Sequence, residues 1–221
     1  MDMYKSQAEQ RQNGFNEARK TAEDGDLNRL KAAAALLTSW YDASHRTLPW
    51  RENPTAYSIW ISEIMLQQTR IEAVKPYYDR FMKELPHVTA LASVEDDRLM
   101  KLWEGLGYYN RARNLKKAAE ILVSEYGGEM PDDYEKIQAL PGIGSYTAGA
   151  VSSIAFGRPY PAVDGNVLRI LSRLRCDDRD ILNAKVKKSV EEDLLDVMPS
   201  DRPGDFNQAL MELGATVCIP N

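Results

Sequence analysis

Two carboxylates in this sequence have surroundings that could support acid–base chemistry, and Glu63 is the first. It lies within YSIWISEIMLQQTR, where the residues three and four positions away on a helix include no cation; they are Ile59, Trp60, Leu66 and Gln67. If that helix is buried, loss of hydration raises the pKa of the Glu63 carboxyl. A carboxylic acid that is still protonated near neutral pH can act as a general acid.

Asp164, the second carboxylate, precedes a predicted helix in the segment AVDGNVLRI. Aspartate is a favoured N-cap and Asp-Gly-Asn is typical of a turn, so capping alone explains this residue. The helix N-terminus would also favour a charged carboxylate, which could face a developing positive charge. The residues leave both roles open, and one side chain can serve both.

The segment LPGIGSYTAGA at residues 140–150 predicts a tight turn between two helices. Gly142 and Gly144 have no Cβ atom, so the backbone can approach a ligand closely and adopt positive φ values. A helix beginning near Ser145 would present free N–H groups and the positive end of its dipole, which favour an anion such as a phosphate. From the glycines alone, a plain turn between packed helices is the preferred interpretation.

These residues must be positioned by helices, because apolar residues recur at helical spacing along nearly the whole chain and no convincing alternating strand is present. We therefore predict an all-α protein. One helix starts after Asp26 and ends before a loop at 48–54, and another holds Leu99 and Trp103. The remaining helices are predicted near 56–69, 71–84, 110–126, 133–139, 145–156, 164–174, 184–197 and 205–217.

Local residues mark the ends of several of these helices. Asp26 is the expected N-cap of the first, and Ser93 with Asp96 can form a capping box that opens the helix holding Leu99. Gly127 and the glycine that follows it are expected to end the helix at 110–126.

Composition limits the class of protein. The net charge of −5 argues mildly against nonspecific binding of polyanions, so a DNA-binding face needs clustered basic residues. Residues 110–117 form such a cluster, although a run of this kind is more often a solvated helix face. Two cysteines, Cys176 and Cys218, are too few for a disulfide framework. The sequence has no apolar stretch typical of a signal peptide or a membrane helix, so we expect a cytoplasmic protein.

With these motifs in order, the sequence resembles the MutY-type adenine DNA glycosylases of the endonuclease-III-like helix-hairpin-helix superfamily. The resemblance runs from about Leu48 to the C-terminus and is carried by LPWR, SEIMLQQTR, EGLGYYNRARNL, LPGIGSYTAGA, AVDGNVLRILSR and NQALMELGATVC. It implies a six-helix barrel domain at 50–155 containing the helix-hairpin-helix motif. A second helical domain would comprise 26–49 and 156–221, with the active site in the cleft between the two. Residues 1–25 are an N-terminal arm without a counterpart.

The activity implied by the resemblance is hydrolytic removal of adenine mispaired with 8-oxoguanine or guanine in double-stranded DNA, after base flipping. Glu63 would protonate N7 of adenine and later activate water. Asp164 would stabilise the oxocarbenium-like sugar or trap it covalently. Tyr146 and Asn166 would line the sugar side of the pocket. The resemblance also favours binding of a DNA phosphate by the segment 140–150, with help from a monovalent cation.

The resemblance further assigns contacts with the duplex. Gln68 and Tyr108 match residues that wedge into DNA at the lesion. The contacts implied for the flipped adenine and its surroundings are Leu66, Arg46 and Arg51. For Leu66, Tyr108 and the neighbouring Trp50, packing in the core is the alternative interpretation.

The residue at position 146 separates subfamilies. Relatives that excise oxidised pyrimidines and then cleave the strand carry a lysine there, which forms a Schiff base. Because the phenol of Tyr146 cannot form that adduct, we expect a monofunctional glycosylase. Two alternatives stay open. The first is an oxidised-pyrimidine glycosylase/lyase, which Tyr146 and Glu63 disfavour, and the second is a noncatalytic DNA-binding module, against which the presence of both carboxylates argues.

The sequence departs from the family near its C-terminal end. Family members usually hold a [4Fe–4S] cluster through four cysteines in a compact loop. Cys218 matches the first of these ligands, whereas Cys176 lies elsewhere, and the chain ends three residues after Cys218. We therefore expect a fragment of a longer protein that lacks both the cluster and the family's lesion-recognition domain. We expect it to act as a monomer in a bacterial cytoplasm.

Overall fold

The computed structural model describes residues 28–220, and throughout that range the chain forms helices and loops without a strand. The first helix, α1, is described over 28–44. The helices that follow are α2 (Pro49–Glu52), α3 (Ala56–Leu66), α4 (Ile71–Glu84), α5 (Val88–Ser93), α6 (Asp96–Trp103), α7 (Asn110–Tyr126), α8 (Tyr134–Gln138), α9 (Ser145–Phe156), α10 (Gly165–Arg175), α11 (Ala184–Val197) and α12 (Pro203–Thr216). None of the described helices is long and apolar enough to cross a membrane. The predicted all-α class is confirmed.

The helical period predicted many boundaries well. Helices α4, α7, α9 and α11 have the predicted bounds. Gly127 ends α7 in the left-handed conformation with φ of 65°, as expected of a glycine at this position. The expected N-cap Asp26 and the arm at 1–25 lie outside the described residues.

The predicted capping box of α6 is wrong. Ser93 is the last residue of α5, and its hydroxyl donates back to the carbonyl of Thr89 at 2.9 Å. Glu95, not Ser93, is the N-cap of α6, and its side chain makes no capping hydrogen bond. Helix α5 itself was not predicted; the side chain of His87 caps it by accepting a hydrogen bond from the backbone N–H of Ala90.

Helices α8, α10 and α12 differ from their predicted bounds by one or two residues, and two larger differences concern α2 and α3. The loop expected at 48–54 contains the short helix α2, which begins with Pro49, where the missing N–H of proline needs no partner. The helix expected at 56–69 ends at Leu66, and Gln68 adopts a left-handed backbone with φ of 57°.

The buried side chains form two clusters. The first lies around Trp60, Phe81 and Trp103 and takes its members from residues 48–151. The second lies around Phe206 and takes its members from α1 and from the chain after residue 162. Helix α12 contacts α9 as well as α10, so the two clusters are packed together. The division into two domains stays a prediction.

Helix α3 explains how a glutamate reaches the interior. A capping box between Thr55 and Ser58 fixes its start, and every residue from Tyr57 to Met65 is buried. A helix that is apolar on all sides belongs in a core, so Glu63 is carried into the protein with it.

Candidate active site

A cavity of about 540 Å³ lies between the end of α3, the start of α9, the start of α10 and α12. This volume falls in the range typical of sites for small organic ligands. Eight residues that the sequence assigned to the site line it: Arg46, Arg51, Glu63, Leu66, Gln68, Tyr146, Asp164 and Asn166. The structure therefore brings together side chains from distant parts of the chain.

The Glu63 carboxyl lies in the wall of this cavity and is 6% exposed. The hydroxyl of Tyr146 donates a hydrogen bond to its Oε2 at 2.6 Å. Burial raises the pKa of Glu63 to about 7; the Tyr146 hydrogen bond and the charge of Arg51 oppose that rise, and the charge of Asp164 adds to it. The prediction of a raised pKa is confirmed.

Tyr146 lies in the first turn of α9 and faces both carboxylates. Burial, together with the charges of Glu63 and Asp164, raises the pKa of its phenol well above the ordinary value. The phenol therefore stays protonated and serves as a hydrogen-bond donor. Its oxygen also lies 3.1 Å from Sδ of Met211.

Asp164 is the N-cap of α10, as predicted. Its Oδ1 accepts a hydrogen bond from the backbone N–H of Val167 at 2.9 Å, and its Oδ2 accepts one from Nδ2 of Asn166 at 2.7 Å. Arg169 donates to Oδ1 of Asn166 at 2.8 Å. Because that oxygen is fixed by Arg169, the amide nitrogen of Asn166 is the end that faces Asp164.

Arg46 and Arg51 meet a partner that the sequence analysis missed. Glu212 on α12 is fully buried and accepts hydrogen bonds from both arginines, from Nε of Arg46 at 2.6 Å and from Arg51 at 3.0 Å. Burial alone would raise the pKa of Glu212, but the Arg46 hydrogen bond and the Arg51 charge lower it to about 2. The same local criterion that singled out Glu63 applies to Glu212, because the residues three and four positions away include no cation.

The apolar candidates differ in environment. Trp50 is buried with its ring edge-on to Tyr78 at 5.3 Å, which agrees with core packing, and it also lines the cavity. Leu66 is half-buried at the cavity wall. Tyr108 is 64% exposed, so core packing is wrong for this residue.

Gln68 and Tyr108 line a neighbouring groove of about 330 Å³. Both have left-handed backbones, with φ of 57° and 49°, a conformation that costs a side-chain-bearing residue on the order of 1 kcal/mol or more. The two wedge candidates are thus presented side by side on strained loops.

Within the segment 140–150, the turn at 140–144 lies outside the cavity, whereas Tyr146 lines it. Gly142 has φ of 79°, and a Cβ atom there would lie 2.8 Å from Cβ of Asn114, so glycine is required. Gly144 has φ of −99°, so the expectation of a positive φ is wrong for it; it is the N-cap of α9. The Ser145 hydroxyl donates to Oε1 of Glu191 at 3.0 Å, which places a carboxylate beside the start of α9.

The four-cysteine cluster of the family has no matching residue set here. Cys218 is half-buried, and Arg173 donates a hydrogen bond to its Sγ at 3.2 Å, while Cys176 is exposed. Within residues 28–220, no group of three or more His, Cys, Asp or Glu side chains could hold a metal ion. Two cysteines cannot supply four thiolates, so the residues of this chain do not fit the cluster.

The helices and the turn at 140–150, with the two carboxylates Glu63 and Asp164 in one cavity, define a protein of the helix-hairpin-helix DNA glycosylase class. Residues 61–199 match the model of the family described as "HhH-GPD superfamily base excision DNA repair protein". The chain belongs to this superfamily, and the predicted family and fold class are confirmed.

Curated relatives make the likeness more specific. Proteins named adenine DNA glycosylase from mouse and human are each 45% identical over 204 residues. One from Buchnera aphidicola (strain APS) is 42% identical over 185 residues and is matched over 83% of this chain and 53% of its own length. The alignments with the mouse and human proteins cover 88% of this chain but only 40% and 37% of those relatives.

Solved structures show the same fold. A thermostable thymine-DNA glycosylase superimposes with a TM-score of 0.78 at 28% identity, covering 88% of this chain and 90% of that one. A trapped endonuclease III–DNA covalent intermediate superimposes with a TM-score of 0.74 at 24% identity, covering 88% and 89%.

Proposed function

We propose that this chain removes adenine from double-stranded DNA by hydrolysis of the N-glycosidic bond, as an adenine DNA glycosylase. The observation that carries the proposal is the Glu63 carboxyl, which is buried in the wall of the cavity and has a pKa of about 7. It accepts a hydrogen bond from Tyr146, and Asp164 lines the same cavity. The name shared by the curated relatives supports adenine as the base.

In the first step, Glu63 donates its proton to N7 of the flipped adenine. With its pKa raised to about 7, the Glu63 carboxyl can hold a proton near neutral pH and give it up to the base. Tyr146 occupies Oε2, so we assign the transferred proton to Oε1. The bond between the sugar and N9 then breaks, its electron pair leaves with the base, and a positive charge remains on the deoxyribose. The Tyr146 hydroxyl stabilises the carboxylate that Glu63 becomes.

In the second step, Asp164 faces the positive sugar. Its two oxygens are oriented by Val167 and Asn166, so the carboxylate needs little rearrangement to stabilise the cation or to bond with it. Water then attacks the sugar carbon and gives up a proton to Glu63, which returns the carboxyl to its starting form. No lysine is available at position 146 to form a Schiff base, so the reaction would stop at base removal.

The polar wall formed by Arg46, Arg51 and Glu212 would contact the base. The two arginines satisfy both oxygens of Glu212, which keeps that carboxylate charged while Glu63 can be protonated. Leu66 supplies an apolar surface beside them. This arrangement suits a base that is both flat and polar at its edge.

The duplex would be held outside the cavity. Gln68 and Tyr108 would enter the base stack, and the start of α9 at Ser145 would hold a backbone phosphate, with a monovalent cation at the turn. We further propose that the adenine removed is one mispaired with 8-oxoguanine or guanine. We also propose that the chain acts as a monomer in a bacterial cytoplasm.

Single-turnover base release tests the proposal. Duplexes containing A:8-oxoguanine, A:G or thymine glycol are mixed with excess protein, and released bases are quantified. We expect adenine release from the first two, reduced at least about 100-fold by Glu63→Gln, because a general acid contributes on the order of 10²–10⁴. Glu125→Gln on the exposed face of α7 is the matched control and should leave the rate unchanged.

Two outcomes would overturn this function. Release of thymine glycol with efficient borohydride trapping of the protein on DNA would indicate a glycosylase/lyase. Binding of all the duplexes without release of any base would indicate a noncatalytic DNA-binding module.

A further inference from the structure

Arg111 on α7 is a buried cation without a carboxylate partner among residues 28–220. Its side chain belongs to the basic segment 110–117, yet the residue is only 9% exposed, whereas Arg113 and Lys117 nearby are exposed. Burial lowers the pKa of Arg111, but a guanidinium remains charged in proteins. A buried charge is costly unless hydrogen bonds compensate it.

Six oxygens, two from the last turn of α3 and four from two separate loops, accept hydrogen bonds from this guanidinium. One terminal nitrogen donates to the carbonyls of Ile64 (2.9 Å), Met65 (3.1 Å) and Gln67 (2.6 Å), at the C-terminal end of α3. The other donates to the carbonyls of Leu106 (3.1 Å) and Gly107 (3.3 Å) and to the Thr69 hydroxyl (3.4 Å). The negative end of the α3 dipole favours a cation at this place.

Aromatic rings enclose the same group. Arg111 lies 5.4 Å from the centre of the Trp103 ring and 5.5 Å from that of Tyr108. The indole of Trp103 also donates to the Gly107 carbonyl at 3.0 Å, and the backbone N–H of Arg111 donates to the Tyr108 carbonyl at 2.9 Å. The loop before α7 is therefore fixed from several directions.

The two loops that Arg111 joins carry the two strained wedge candidates. Gln68 lies in the loop at 67–69, and Tyr108 closes the loop at 106–108; both have positive φ. Strained backbone persists only where surrounding contacts fix it. Because the six contacts join the end of α3 and the loop at 67–69 to the loop at 106–108, loss of the guanidinium would weaken the support of both residues at once.

We propose that Arg111 is a positioning residue that holds these two loops in the shape that separates a base pair. This inference rests on the proposed function. A preformed pair of loops would not have to be ordered when the duplex binds, so more of the binding free energy would go into extruding the base. Lysine has one ammonium and cannot donate to both loops in the same geometry.

The first test compares two duplexes. In one, adenine is paired with 8-oxoguanine; in the other, adenine faces a one-nucleotide gap, so no pair has to be opened. Arg111→Met should lower adenine release from the paired duplex about tenfold or more, since opening a pair costs a few kcal/mol, and should change release from the gapped duplex less than about threefold. Arg111→Lys should lie between. Arg80→Met, on the exposed face of α4 and outside both the cavity and the groove, is the matched control.

The second test does not depend on catalysis. Duplexes with 2-aminopurine at the position of the adenine report extrusion of the base through increased fluorescence. We expect a smaller increase with Arg111→Met than with the wild-type chain or Arg80→Met. If the wild-type chain increases the fluorescence but releases no base, the proposed function fails, whereas this comparison still decides the role of Arg111.

Equal loss of base release on both duplexes would overturn the inference, since it would indicate general damage to the fold or the cavity. Unchanged fluorescence with Arg111→Met would also overturn it. Arg111→Lys keeps the charge and covers the case in which Arg111→Met does not fold: an equal loss on both duplexes with that variant would likewise contradict the proposal.

Discussion

Glu63 should make the stability of the protein depend on pH. Its pKa is about 7 in the folded chain, and 4.5 is the ordinary value that unfolding restores. Between these values the folded state binds more protons, so the free energy of unfolding falls as the pH rises from about 4.5 through 7. We expect Glu63→Gln, which cannot ionise, to stabilise the chain at about pH 8 by on the order of 1–3 kcal/mol and to have little effect at about pH 4.

Urea unfolding at several pH values measures this difference. Glu125→Gln, on the exposed surface of α7, is the matched control and should show little difference at either pH. A Glu63→Gln variant that is less stable than the wild type at pH 8 would contradict the expectation. Loss of activity together with gained stability would be the trade-off common at catalytic sites.

Glu212 shows how position decides the charge of the same residue type. Both glutamates are buried in one cavity, yet burial raises the pKa of Glu63 to about 7, whereas two arginines outweigh burial and lower that of Glu212 to about 2. Local sequence revealed Glu63 through its cation-free helical neighbours. It could not reveal the state of Glu212, because Arg46 lies 166 positions away and Arg51 161 positions away.

At the level of the helix, two roles of the Asp164 side chain can be tested separately: it caps α10, and it brings a negative charge to the cavity. It caps α10 through Val167 and also faces the cavity. We expect Asp164→Ser to keep the cap and cost less than about 0.5 kcal/mol, whereas Asp164→Ala should cost about 1 kcal/mol. Both variants remove the carboxylate and should reduce adenine release at least about 100-fold.

Thermal unfolding and single-turnover release, measured on the same preparations, distinguish the two roles. Near wild-type release by Asp164→Ser would mean that the residue acts as a cap alone. If both variants were equally destabilised, the capping hydrogen bond to Val167 would not contribute to the stability of the folded chain, contrary to what its geometry implies.

Long helices could be predicted from the spacing of their apolar residues, whereas short helices could not. Helix α7, with 17 residues and a glycine stop, was predicted with its exact bounds, but α2 and α5, with four and six residues, are too short to show a period. The end of α3 was placed too late, because the carbonyls of Ile64, Met65 and Gln67 accept hydrogen bonds from Arg111, which lies 47, 46 and 44 positions further along the chain. Contacts of that range are invisible to local patterns.

At the level of the whole molecule, helix α12 joins the two clusters of buried residues. Phe206 and Leu210 belong to the second cluster, while α12 also packs on α9. A Cβ at Gly204 would lie 2.8 Å from the backbone of Ile154, so the two helices approach closely there. Since Glu212 lies on the same helix, the cavity depends on this packing. We therefore expect both clusters to unfold together, even if the predicted two-domain division is correct.

Asn207 provides the test, because it is fully buried where α12 meets the first cluster's α9. Its amide nitrogen donates to the Ser153 hydroxyl and the Tyr160 carbonyl, both at 2.8 Å, and its oxygen accepts from the backbone N–H of Ala162 at 3.1 Å. Asn207→Ala removes one hydrogen bond from each of these three groups, which should cost about 2–4 kcal/mol and lower the melting temperature by roughly 5–10 °C.

Circular dichroism reports on the unfolding of all helices, whereas tryptophan fluorescence reports mainly on the first cluster, which contains Trp50, Trp60 and Trp103. The two probes should give one coincident transition for the wild type and for Asn207→Ala, shifted to lower temperature in the variant. Thr216→Ala is the control, since its hydroxyl bonds only within α12. Separate transitions in the wild-type chain would show that the clusters unfold independently, and an unchanged melting temperature in Asn207→Ala would show that α12 is held in place by its apolar contacts alone.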